Sequence, residues 1–94
     1  MEYTVTHNVE ANRFEVLLDN GHFAYLKYEE SSVGLNFAHT YVPVGFEGKG
    51  IAAAIVQFGL EYVRKNNLLL IPSCSYVATY IERHPEFKSL VVKF

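Results

Sequence analysis

The sequence predicts an α+β domain in which a meander of antiparallel strands comes first and a helix, strand, helix and strand follow. Three observations carry this. Residues 13 to 42 alternate apolar and polar side chains with a period of two, broken only by turn residues. Residues 51 to 65 switch to the longer period of a helix. Between them lies "VPVGFEGKG", a proline-punctuated run that breaks into Gly45, Gly48 and Gly50. Strands grouped first and helices grouped later speak against alternating βαβ units throughout.

"NRFEVLL" places Phe14, Val16 and Leu18 on one side, opposite Arg13 and Glu15, and "DNG" at Asp19–Gly21 signals a hairpin. A short strand within Tyr3–Val9 is expected before it. "HFAYLKYEE" resumes the alternation with Ala24, Leu26 and Tyr28, and Glu29 to Ser32 supply the next turn. "VGLNFAHTYV" sets Val33, Leu35, Phe37, His39 and Tyr41 on one face. Gly34, Asn36, Ala38, Thr40 and Val42 take the other. Past the glycines, Ile51, Ile55, Phe58 and Tyr62, flanked by Val56 and Val63, form one apolar helix face. That helix closes on Arg64 and Lys65, where positive charge suits the dipole, and Asn66–Asn67 end it. "LLLIP" reads as a short strand buried on both faces. "SYVATYIERH" reads as a second helix, capped by Ser73 or Ser75 and stopped by Pro85, and "SLVVKF" as the last strand. The two helices are expected to pack on the central sheet.

The 94 residues are expected to form one domain, 1–94, and with 50% hydrophobic and 15% aromatic residues they can bury a modest core. A net charge of −2 with no basic stripe argues against nucleic acid or an anionic membrane as partner. No heptad seam is present, so a monomer or weak dimer is expected. The opening "MEYTVTHNVE" lacks the features of a secretory leader, and no apolar run is long enough to span a bilayer. A lone cysteine, Cys74, has no internal partner for a disulfide, and a reducing, cytoplasmic setting is expected. No set of His, Cys and carboxylates has metal-ligand spacing, so no metal is expected. His7 and His22 fall in turns or at edges, and His84 reads as a helix-end residue.

The glycine turn asks for a reason. Each glycine inside a helix or strand weakens it by roughly 0.5–1 kcal/mol, so something should compensate, and a ligand approached by bare backbone is the first candidate. The P-loop pattern fails, because Gly45 lies too close to the Gly48–Lys49 pair and Gly50 stands where a hydroxyl is needed. The dinucleotide pattern is met literally by Gly48, Gly50 and Ala53, but it belongs after the first strand of a large parallel sheet. What remains is the general anion site of a helix N-terminus.

Three motifs then stand together: "HTYVP" at His39–Pro43, "GKGIA" at Gly48–Ala52 and "PSCSYVATYIERHPEF" at Pro72–Phe87. With them the sequence resembles the GNAT superfamily of N-acetyltransferases, and within it a small one-domain branch carrying HTxVP, GxGIA and PxCxYVxxYIxRHPE. The superfamily's acyl-coenzyme A loop reads Arg/Gln-x-x-Gly-x-Gly/Ala; here Gly45 replaces the Arg or Gln, which removes one side-chain contact to phosphate. The resemblance implies a GNAT-like fold that binds acetyl-coenzyme A through Val42, Pro43, Val44 and Glu47, Gly48, Lys49, Gly50, Ile51 and Ala52. Tyr76 and Tyr80 would lie along its pantetheine arm.

The catalytic candidates are Cys74, His39 and Tyr76. Cys74, near a helix start where a thiolate is stabilised, reads as an acetyl acceptor or as a small buried hydrophobe. His39 reads as a general base or as a hydrogen-bonded core histidine. Tyr76 reads as an acid for the departing thiolate, or with Tyr80 as core. The implied activity is acetyl transfer from acetyl-coenzyme A to a primary amine, on a small molecule or a protein lysine. Direct transfer, with Cys74 facing the thioester, is expected ahead of a route through acetyl-Cys74. The alternative is a coenzyme A-binding regulatory or sensor module with little or no catalysis. A plain interaction domain would leave the glycine turn unexplained.

Overall fold

The computed structural model describes residues 3–93. Strands β1 (Thr6–Asn8), β2 (Arg13–Leu17), β3 (Phe23–Ser31) and β4 (Gly34–Tyr41) precede helix α1 (Ile51–Lys65), strand β5 (Leu70–Ile71) and helix α2 (Ser75–Arg83). A 3-10 helix, Pro85–Leu90, follows. The five-stranded sheet has the order β1-β2-β3-β4-β5; the first four strands are antiparallel and β5 runs parallel to β4.

The expected α+β architecture is the one observed, and its period-two pattern explains how it packs. Phe14, Val16, Leu18, Ala24, Leu26, Tyr28, Leu35 and Phe37 point to the helices and are buried. They share one core with Ile51, Ile55, Val56, Leu60 and Val63 of α1 and with Val77 and Ile81 of α2. Gly59 lets α1 sit close, since a Cβ there would come within 3.1 Å of the Phe37 ring and 3.2 Å of the Phe14 ring. The helix face therefore centres on Gly59 rather than on Phe58, which is 39% exposed, or Tyr62, which is half-buried. On the opposite sheet face, Glu15 is buried and accepts two hydrogen bonds from the Arg13 guanidinium, at 3.0 and 2.8 Å.

His7 belongs to a cluster that the sequence did not disclose. Its Nε2 is 2.6 Å from the Tyr28 hydroxyl, and its ring lies 4.5 Å from Phe14 and 4.6 Å from Tyr62. The edge strand β1 is thereby pinned across β2 to α1.

Four expectations are corrected. The alternation of β4 does not persist: Tyr28 pairs with Phe37 but Lys27 pairs with His39, so Ala38 is a bulge. The bulge resets the phase, and Thr40, opposite buried Leu26, turns inward while His39 and Tyr41 turn out beside Tyr25. The strand expected from "LLLIP" shrinks to Leu70–Ile71, with Leu69 43% exposed. The strand expected from "SLVVKF" is reduced to one parallel bridge, Leu70 to Val91, because Ser89 and Leu90 complete the 3-10 helix; Phe94 lies outside the described residues. The cap of α2 is Cys74, not Ser73 or Ser75, because the Cys74 N–H is committed to the Phe37 carbonyl at 3.0 Å and the helix starts just after it.

Candidate functional site

The segment between β4 and α1 is built from left-handed backbone. Gly45, Gly48 and Gly50 have φ of 95°, 76° and 80°, a region that residues with a Cβ enter at a cost. Nothing lies within 4 Å of where a Cβ would project at any of the three, so backbone direction, not crowding, demands glycine. The Phe46 N–H donates to the Pro43 carbonyl at 3.1 Å, and the Gly45 N–H donates to the Glu47 carboxylate at 2.8 Å.

Gly50 then stands at the N-cap of α1, where it brings no side chain to satisfy the first turn. The Ala54 N–H closes the first helical bond, to the Gly50 carbonyl at 3.1 Å. The amides ahead of it have no intrahelical acceptor, and the first turn holds no acidic residue. This helix end presents N–H groups and positive dipole outward, the arrangement that suits an anion.

A cavity of about 340 Å³ lies on that helix end, bordered by Val42, Glu47, Gly48, Gly50, Ile51 and Ala52, with Phe46, Ala53 and Tyr76 completing its wall. The other residues singled out for cofactor binding lie elsewhere. Pro43 is buried and Val44 is 89% exposed. Lys49 borders a separate cavity of about 410 Å³ with Thr4, Thr6, Asp19 and Phe23. Tyr80 stacks on His84 with ring centroids 4.0 Å apart. Larger clefts exist, including one of about 630 Å³ at the His7 cluster.

Cys74, at the N-cap of α2 and two residues before the wall residue Tyr76, ties that helix to β4. Its sulfur is 3.3 Å from the Thr40 hydroxyl. Burial alone would raise the thiol's pKa; the hydrogen bond shared with the Thr40 side chain and those with the backbone at Val77, Tyr76 and Thr40 outweigh it, so the thiol's pKa is lowered. The sulfur makes no well-directed cap bond, yet the amides of the α2 first turn lie near enough to favour the thiolate. Tyr76, two residues on, has its pKa raised by burial, opposed by Arg83, so its phenol keeps its proton.

His39 does not join this group. The bulge sends it to the open face, exposed, with its ring 6.3 Å from that of Tyr25. Thr40 and Phe46 do join it, and neither was singled out from the sequence. "HTYVP" contained Thr40, but strict alternation put it on the wrong face. Among the described residues no His, Cys, Asp and Glu side chains are grouped to hold a metal ion, and no helix is long and apolar enough to cross a membrane.

Comparison with known proteins agrees with this geometry. A family model described as GCN5-related N-acetyl-transferase matches residues 13–90. Protein NATD1 of Xenopus tropicalis and that of Mus musculus are each 30% identical over 83 residues, covering 86% of this chain and 76% of theirs. The NMR solution structure of a GCN5-like protein from Staphylococcus aureus has a TM-score of 0.74 at 22% identity. That match covers 98% of this chain and 90% of the other, and it is a likeness of fold.

Proposed function

The chain belongs to the GCN5-related N-acetyl-transferase family, and from that premise we propose that it takes acetyl from acetyl-coenzyme A and passes it to a primary amine. The observation that carries the proposal is the uncapped N-terminus of α1 opening into the cleft that Tyr76 walls. The amides of the first turn would hold the diphosphate, with Gly48 and Gly50 letting the backbone come near. The cleft, bordered by Gly48, Gly50 and Tyr76, would hold the diphosphate and the adjoining part of pantetheine. Acetyl-coenzyme A supplies an acyl group already activated as a thioester.

The chain's own residues supply the rest. Beyond the Phe37–Cys74 bond the seam between β4 and β5 ends, and the backbone N–H of Val42 or Val44 is assigned to the carbonyl oxygen, since Pro43 has none. Cys74 is the nucleophile: its thiol proton passes to solvent, and the thiolate sulfur bonds to the acyl carbon as the bond to the coenzyme A sulfur breaks. The phenol of Tyr76 gives its proton to the departing thiolate and recovers one from solvent. The amine nitrogen then bonds to the acyl carbon as the Cys74 bond breaks, and its surplus proton passes to solvent. His39 is exposed on the open sheet face and is given no role in this route. Direct attack by the amine, expected ahead of it on sequence grounds, is the alternative route; the contact of Thr40 with the Cys74 sulfur and the lowered pKa of the thiol support the route through sulfur.

The second reading, a coenzyme A-binding module without turnover, draws on the openness of the site. Only residues 9–12 join β1 to β2, and the β4 residues His39 and Tyr41 face an uncovered sheet surface. One titration separates the readings. Coenzyme A should shift the amides of residues 47–52 and Tyr76, and acetyl-coenzyme A with a panel of polyamines and lysine peptides should give turnover. Binding without turnover selects the module; shifts scattered over the surface remove both.

A further inference from the structure

We propose that Thr40 is the positioning residue of this site, its hydroxyl donating to the Cys74 sulfur and fixing the direction of that side chain; this rests on the reading of Cys74 as nucleophile. Two ties run from β4 to Cys74. The Phe37 carbonyl accepts the Cys74 N–H at 3.0 Å, and the Thr40 hydroxyl stands 3.3 Å from the sulfur. The first fixes the backbone at the N-cap of α2, and the second fixes the direction of the side chain. The second exists only because of the bulge at Ala38. An unbroken strand would turn Thr40 to the open face and offer His39 to the sulfur instead, and the extra residue exchanges an imidazole for a hydroxyl.

No charged side chain takes part in holding the sulfur. The groups that act on it are Thr40 from β4 and the amides of Tyr76 and Val77 from α2, with Tyr76 the neighbouring phenol. A hydroxyl that donates to sulfur favours the thiolate over the thiol, whereas one that only accepts from S–H does the reverse. The direction of this hydrogen bond therefore adds to, or works against, what the amides of Tyr76, Val77 and Thr40 do for the thiolate.

The test uses the full chain without acyl donor and follows alkylation of Cys74 by iodoacetamide against pH. The sulfur–carbon bond forms, iodide leaves, and the thiol proton goes to solvent, so the rate tracks the thiolate. Thr40→Val should slow alkylation at pH 7 by about three- to tenfold and move the profile to higher pH, because the lost bond is one to a charged group and the more basic thiolate is only partly compensated by nucleophilicity. Thr40→Ser should restore both. A Val profile that coincides with the native one, or a Ser variant that does not restore it, overturns the proposal. Should the Val variant fail to fold, Thr40→Ala decides through the pH titration of the Cys74 Cβ signal. A midpoint above that of the native chain supports the proposal, and one equal to it overturns it. None of these measurements needs acetyl transfer, so a shifted profile without turnover would count against the acetyltransferase reading alone.

Discussion

The Glu47 carboxylate accepts the Gly45 N–H at 2.8 Å, and this bond closes the turn that leads into α1. Glu47 borders the cleft, where a negative side chain would repel a diphosphate if it were free. Bound to its own turn, it shapes the turn instead. Glu47→Ala should cost about 0.5–1.5 kcal/mol of stability and weaken coenzyme A binding severalfold, while Glu47→Gln should keep most of both. Thermal melts and titration calorimetry on the two variants check this; tighter binding in Glu47→Ala would show that repulsion dominates.

Gly50 has φ of 80° at the N-cap, so a β-branched residue is strained there before any ligand is considered. Gly50→Val should lower stability by about 1–2 kcal/mol through that strain. Loss of coenzyme A affinity should exceed this, since the side chain would project from the backbone that the diphosphate must approach. Measured at a temperature where the variant is fully folded, binding equal to that of the native chain would contradict the assignment.

His7 gives the protein a pH dependence with a definite sign. Burial lowers its pKa, so the unfolded chain binds the proton more readily than the folded one. The contribution of His7 to stability is complete above the unfolded value of about 6.5 and falls away as the pH drops through the lower, folded value. The groups around it agree with a neutral ring: Tyr28 keeps its hydroxyl proton, its pKa raised by burial and by Tyr62 and Glu30, and can donate to Nε2 at 2.6 Å. Urea midpoints at pH 7.5 and 5 should differ more for the native chain than for His7→Gln. Proton resonances should titrate His7 below the ordinary imidazole value.

The meander and the first helix were legible because their burial is one-sided, and a one-sided face writes its period into the sequence. What could not be read depended on contacts across elements. Ala38 carries no mark of a bulge, and it alone exchanged the faces of His39 and Thr40. Phe58 and Tyr62 look like the centre of the helix stripe because they are large, yet the centre is Gly59, where the rings of Phe14 and Phe37 take the space. Ser73 and Ser75 are the better caps by type, but the bond from Cys74 to Phe37 decides where α2 begins. The glycine turn between β4 and α1 was legible as a turn, since left-handed backbone leaves few residues to choose from. The partnership of Thr40 and Cys74 was not, since it joins β4 to the N-cap of α2 across a fold.

At Cys74 the two chemical routes diverge. Acetyl-coenzyme A alone should add one acetyl mass to the protein, located at Cys74, and an amine should remove it as fast as steady-state turnover proceeds. Cys74→Ser should still bind coenzyme A, because the amides of the α1 first turn are untouched. It should lose the label and most turnover, by orders of magnitude, because a hydroxyl is a poor nucleophile without a dedicated base. The structure offers a serine hydroxyl at this position no such base: His39 faces the open side and Thr40 is neutral. Thioester exchange suits a thiolate whose pKa lies near the working pH, and the amides of α2 with Thr40 move Cys74 in that direction. A serine variant that binds coenzyme A and retains most of its turnover would return the mechanism to direct attack by the amine, with Cys74 left as part of the wall.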